Sequence, residues 1–109
     1  VKILFDQGTP APLRLSLAEH VVVTAAELRW ERLTDRELLD RSEADGFDVL
    51  VTTDQKLQHQ QVLADRRIAV LVLRRTDWRL IQRQVEMVSR AVTGLEPGAY
   101  MELTFSKLR

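Results

Sequence analysis

The sequence predicts a three-layer α/β/α domain built on a mainly parallel sheet of about five strands. Two observations lead there. Apolar runs and helix-like segments alternate along the 109 residues almost without exception. The apolar runs are also continuous instead of alternating with polar residues, so both faces of the sheet have to be covered.

Lys2-Ile3-Leu4-Phe5 reads as a buried strand that stops at Asp6-Gln7-Gly8-Thr9-Pro10, where glycine and proline force a turn. Pro10 and Pro12 suit the first turn of a helix carrying Leu13 and Leu17 and giving out near Glu19-His20. Val21-Val22-Val23-Thr24 is β-branched throughout and forms the second strand. Residues 25–33 show no clear period and read as a short helix or an ordered loop. Thr34-Asp35-Arg36-Glu37 is a capping box, opening a helix through Leu38, Leu39 and Ser42 that Gly46 ends in the left-handed conformation. Asp48 to Asp54 supplies the third strand, and a helix is expected from Gln55 to about Arg66. Ile68 to Leu73 is the fourth strand. Trp78, Ile81, Val85, Val88 and Val92 form the apolar stripe of a core-facing helix that starts at Thr76 or Asp77 and ends at Gly94, Pro97 and Gly98. Tyr100 to Phe105 alternates as an edge strand would.

Residues 1–109 read as one domain, without repeat, linker or low-complexity tract. The chain has no cysteine, which excludes thiolate metal sites and thiol nucleophiles and makes a cytoplasmic compartment the expectation. No apolar run approaches the roughly 20 residues of a membrane span, so no membrane partner is expected. The charged residues make up 29% of the chain and sum to zero net charge, so any nucleic-acid contact has to be a local patch.

Right-handed crossovers put the ends of strands one and three on one rim of the sheet, where such folds bind ligands. The acids expected there are Asp6, Asp35, Glu37 and Asp54; Asp35 and Glu37 precede strand three and reach the rim only if their helix starts there. Gathered carboxylates repel unless a cation neutralises them, and hard oxygen ligands favour Mg²⁺ or Mn²⁺. Such a site activates water for attack on a phosphodiester. Each acid also has a purely structural use: an Asx turn for Asp6, a helix cap for Asp54, the helix dipole for Asp35, and the capping box for Glu37, where the structural use is favoured.

Ile3-Leu4-Phe5-Asp6, Asp35-Arg36-Glu37-Leu38-Leu39 running to Gly46, and Val49-Leu50-Val51-Thr52-Thr53-Asp54 resemble the small stand-alone PIN-like proteins related to VapC-type toxins. The resemblance implies a metal-dependent ribonuclease, with Asp6, Asp35 and Asp54 holding Mg²⁺ or Mn²⁺. It further implies an RNA substrate and a small antitoxin partner, and it allows a homodimer. Two departures stand out: the chain is too short for the helical insertion that carries a further glutamate in full-length PIN domains, a role Glu37 would have to fill, and Gln7 stands where many small relatives have a second acid.

Lys56, Arg74 and Arg75 are candidates for phosphate contacts, and Arg29, Arg32 and Arg36 around Trp30 for holding single-stranded RNA. The alternative for this last group is a packed tryptophan among solvated arginines. His20 and His59 read as surface or helix-end residues and Trp78 as core. Two other functions compete: a phosphoacceptor receiver domain using Asp54 and Lys107, and an inactive PIN-like module that only binds partners. Gln7 and the absence of a Pro and Gly turn in Gln55-Lys56-Leu57 weigh against the receiver.

Overall fold

Every predicted strand forms, and all pair in parallel. A computed structural model, which describes residues 1–57 and 66–105, contains β1 (Lys2–Phe5), β2 (Val21–Thr24), β3 (Val49–Thr52), β4 (Ala69–Leu73) and β5 (Tyr100–Leu103). The strands lie in the order β2-β1-β3-β4-β5. The chain winds from β1 to β2 on one side, then returns past β1 to β3, so the carboxyl ends of β1 and β3 flank the point where the winding reverses.

Alternate residues of each strand feed two apolar layers, as the continuous apolar runs require. Ile3, Phe5, Val49, Val51 and Leu71 pack with Leu13, Leu17, Ile81, Val88 and Val92 on one face. Leu4, Leu50, Val70 and Val72 pack with Leu38, Leu39, Phe47 and Leu57 on the other. The second layer lies under α1 (Asp35–Ala44). Because β2 ends at the carboxyl edge and β3 must begin at the amino edge, the connecting helix has to start where β2 stops and run back against the strands. That geometry sets Asp35 on the rim.

The capping box forms in full, with Glu37 N–H donating to Thr34 Oγ1 and Thr34 N–H to Glu37 Oε1. At the far end Gly46 takes φ +80°, Gly46 N–H donates to the Glu43 carbonyl and Phe47 N–H to that of Ser42, the paired bonds of a Schellman motif. Glu43 accepts from Arg66 Nη1 and from the N–H groups of Arg67 and Ile68, which ties this helix end to the start of β4.

Two expected helical segments differ in form, and a third, 25–33, takes the ordered loop of its two readings. Ala11–Leu17 is a 3₁₀ helix, with Leu13 N–H donating to the Pro10 carbonyl three residues back. Seven residues rise about 14 Å as 3₁₀ but about 10 Å as α, and the longer span suits a connection that must run back along a strand. The segment 25–33 is a series of turns rather than a helix, with Arg29 in the left-handed region at φ 61°. The apolar stripe is split into α2 (Trp78–Ile81), a 3₁₀ turn (Gln82–Gln84) and α3 (Val85–Gly94), and Gln84 Nε2 bonds the Leu80 carbonyl across the break. Of the stripe, Ile81, Val88 and Val92 are buried, while Trp78 and Val85 are half-buried against the same layer. Most of the helix expected from Gln55 to Arg66, including His59, lies outside the described residues, as does Lys107. His20 is the helix-end residue of its two readings, its N–H donating to the Leu17 carbonyl, with a side chain only 9% exposed. No helix among the described residues is long and apolar enough to cross a membrane.

Candidate acidic site at the carboxyl edge of the sheet

Asp6 follows β1, Asp54 lies two residues beyond β3, and Asp35 opens α1, so three separate elements deliver a carboxylate to one rim. All three acids are half-buried. Thr52 joins two of them. Its side chain is buried, its Oγ1 donates to Asp6 Oδ2 at 2.8 Å and accepts from the Asp54 N–H at 3.1 Å. Asp6 Oδ1 accepts from the Gln7 N–H at 2.7 Å, a bond to the next residue rather than an Asx turn. Asp54 Oδ1 accepts from the Lys56 N–H at 2.9 Å, the bond an N-cap carboxylate makes, while the helix expected beyond it lies mostly outside the described residues.

The electrostatics link the three acids. Burial raises the Asp6 carboxyl above the ordinary carboxylate range, opposed by the bonds from Thr52 and Gln7 and reinforced by the charge of Asp54. Asp35 is raised first by burial, then by the charge of Asp54 and by a hydrogen-bonding contact with that carboxyl, and further by Asp6. Two carboxylates in such contact need a shared proton or a shared cation. Glu37 is different: it is exposed, and its bonds with Thr34, the N–H first, hold it below the ordinary range. The cap, and not the acid rim, has its carboxylate.

Among the described residues no three acid or histidine side chains are drawn together as tightly as a metal's ligands. Asp6 is turned to Thr52 and Gln7, and a cation would compete with those bonds. The chemistry of the donor set nevertheless fits Mg²⁺ or Mn²⁺: three carboxylates and a hydroxyl are all hard oxygen donors.

The cations are distributed less simply than the sequence suggests. Arg74 Nη1 pairs with Glu102 Oε1 at 2.7 Å, and the Tyr100 hydroxyl donates to Glu102 Oε2 at 2.8 Å. Burial, then this bond to Glu102, push Tyr100 up to about 12, which keeps it a donor. Glu102 is aligned with Val72, and Val72 with Thr52, so its row on the sheet leads to the site. Glu102 carries no motif and only the register reveals it; Thr52 lies in the strand ending Val49-Leu50-Val51-Thr52-Thr53-Asp54, and its hydrogen bonds give it a part in the site. Lys56, Arg75 and Arg36 are exposed, as are Arg29 and Arg32. Trp30 is half-buried, with its ring edge-on to Phe47 at 6.3 Å, and Phe47 precedes β3 at the amino edge. The ring is thus committed to packing, the alternative the sequence left open for it.

Gly8 locks the loop after β1. It adopts φ +93°, and a Cβ there would stand 2.9 Å from Thr53 Oγ1, beside Asp54. Gly8→Ala is expected to cost about 1–2 kcal/mol through the left-handed backbone alone and to displace the Thr53-Asp54 turn. Chemical denaturation of this variant checks the first effect, and amide chemical shifts of Thr53 and Asp54 check the second.

A cleft of about 230 Å³ opens beside Asp6, lined in part by Gly8, Ala11, Thr24 and Ala26. A slightly larger one, about 260 Å³, lies at the opposite edge of the sheet by Phe47, Arg67 and Pro97, away from the rim acids. The fold and its acids define a doubly wound α/β domain with a carboxylate-lined rim at the switch point. No family model matches the chain, and no curated protein and no solved structure matches it.

Proposed function

We propose that this chain is a PIN-like, Mg²⁺- or Mn²⁺-dependent ribonuclease, the cytoplasmic toxin of a toxin–antitoxin pair held inactive by a small antitoxin. The observation that carries the nuclease reading is the contact between Asp35 and Asp54 beside Asp6, whose carboxyl is raised by burial and further by the charge of Asp54, where β1 and β3 end. The toxin and antitoxin parts rest on the sequence resemblance alone.

In this reading Asp6, Asp35 and Asp54 hold the cation. When bound, the metal supplies charge neutralisation at the phosphoryl oxygens and lowers the pKa of water. Thr52 fixes Asp6 through Oδ2 and holds the Asp54 backbone, so the two acids keep one spacing. Without a cation the charges of Asp54 and Asp6 help to raise the proton affinity of Asp35, and a bound cation would relieve that repulsion and favour all three carboxylates as ligands. Lys56 and Arg75, exposed at this edge, supply positive charge for the flanking phosphates.

The test is cleavage of end-labelled single-stranded RNA with Mn²⁺ or Mg²⁺ against a chelator control. The parent chain is expected to cut only with metal, and Asp6→Asn not at all. Absence of cleavage, with no Mn²⁺-dependent shift in melting, leaves the inactive partner-binding module in its place.

A second reading keeps support from the strand order, which doubly wound receiver domains share. A phosphoryl group on Asp54 would stand against the Asp35 carboxyl, which disfavours it. Acetyl phosphate is therefore expected to leave Asp54 unlabelled; a stable adduct there would replace the nuclease by the receiver.

A further inference from the structure

Asp6 divides the rim into two unlike halves. On the β3 side stand Thr52, Asp54 and Asp35. On the β2 side, where Phe5 pairs with Thr24, lies the cleft of about 230 Å³. Its base is the buried Phe5, its walls are Gly8, Ala11 and Ala26, and its one charged lining residue is Asp6. An anion gains nothing in such a cleft. A flat, neutral group without branches fits between a glycine and two alanines and buries its faces against apolar atoms.

The polar groups at its mouth are few. Thr24 is engaged with Glu27: its Oγ1 accepts from the Glu27 N–H, and its N–H donates to the Glu27 carboxylate, so Gln7 is left as the amide that can meet a ligand. Gln7 is exposed, and its side-chain amide offers one donor and one acceptor edge. An uncharged amide beside Asp6 can pair with the edge of a ring without adding to the negative charge of the rim.

We propose that the cleft between the ends of β1 and β2 receives the nucleobase next to the phosphate at the acids, with Gln7 reading its edge. A nucleotide straddling Asp6 puts its phosphate on the β3 side and its neutral ring on the β2 side. The proposal rests on the nuclease reading for the direction of the nucleotide, but its test does not require cleavage.

The four nucleoside 5′-monophosphates, and ribose 5-phosphate as the base-free control, are titrated into the ¹⁵N-labelled chain with Mg²⁺ present. Amides of Gly8, Thr24 and Ala26 are expected to shift with the nucleotides and not with ribose 5-phosphate, and to differ among the four bases. Ala26→Leu, at an exposed position, fills the cleft and is expected to weaken nucleotide binding tenfold or more with an unchanged melting temperature. Gln7→Ala is expected to level the differences among bases. Equal shifts from ribose 5-phosphate, or no shift of these amides, overturn the proposal. A chain that binds bases here and cleaves no RNA keeps the cleft and loses the nuclease. One that cleaves RNA equally well as Ala26→Leu keeps the nuclease and loses the cleft.

Discussion

Asp35→Asn is expected to make the metal-free chain more stable at neutral pH and to abolish metal-dependent RNA cleavage. At the first position of α1 a negative charge gains about 0.3–1 kcal/mol from the helix dipole. Burial and the charges of Asp54 and Asp6 oppose that gain and raise the proton affinity of Asp35, and the expected sign takes them to outweigh the dipole. If the dipole were the whole role of Asp35, the asparagine variant would be less stable, so the sign decides between the uses. The folded chain holds the Asp35 proton more tightly than the unfolded chain does. Stability is therefore lost as pH rises from the ordinary carboxylate range through the raised value, and the loss is complete above it. The advantage of Asp35→Asn should accordingly vanish in acid, open across that window and level off. Mn²⁺ is expected to reverse the order at neutral pH, because a ligand at a hundredfold excess over Kd stabilises the folded parent by about 2.7 kcal/mol. Thermal melts of both chains from acid to neutral pH, with and without Mn²⁺, check every part. A destabilised Asp35→Asn and a parent indifferent to Mn²⁺ would remove the cation from the site.

Thr52→Val should damage both fold and site while changing almost no volume. The variant loses the donor to Asp6 Oδ2 and the acceptor for the Asp54 N–H. Leaving such buried groups unpaired costs about 1–3 kcal/mol. The Thr52 bond lowers the Asp6 proton affinity, so its loss pushes the Asp6 carboxyl further up. Cleavage is expected to fall about 10–100-fold, as when a partner that orients a metal ligand is removed, with the acid limb of the pH–rate profile moved to higher pH. Thr52→Ser keeps the hydroxyl and should restore the profile, although the lost methyl costs some stability. A Thr52→Val chain with an unmoved acid limb would confine Thr52 to packing.

The capping pair offers a control on the far side of Asp35. Thr34→Ala should cost about 1 kcal/mol of stability, since it removes the acceptor of the Glu37 N–H. Urea unfolding measures it. Glu37→Gln, which can still bond the Thr34 N–H, should leave RNA cleavage unchanged; a loss there would return Glu37 to the acid set.

Local chemistry alone determined the strands, the start of α1 at Thr34, its end at Gly46 and the two-faced sheet. Continuous β-branched runs, a capping box and a left-handed glycine are decided by residues within a few positions of each other. Asp6 and Asp54 were legible as rim acids for the same reason, because each comes within two residues of the end of a strand whose direction the crossovers fix. Tertiary structure decided the rest. Asp35 meets Asp54 because α1 must run back against the strands, and the contact lies across 19 residues of sequence with no local trace. The 3₁₀ form of Ala11–Leu17 follows from the span it bridges, and Trp30 is withdrawn from the solvent-facing arginines by Phe47. Thr52 belongs to a strand ending the sequence already singles out, but its bond to Asp6 exists only once β1 and β3 pair, and Glu102 is one more edge-strand acid until register aligns it with Val72. Periodicity reports which side of its own element a residue occupies; only the order in which strands pair brings a second element's charge within reach.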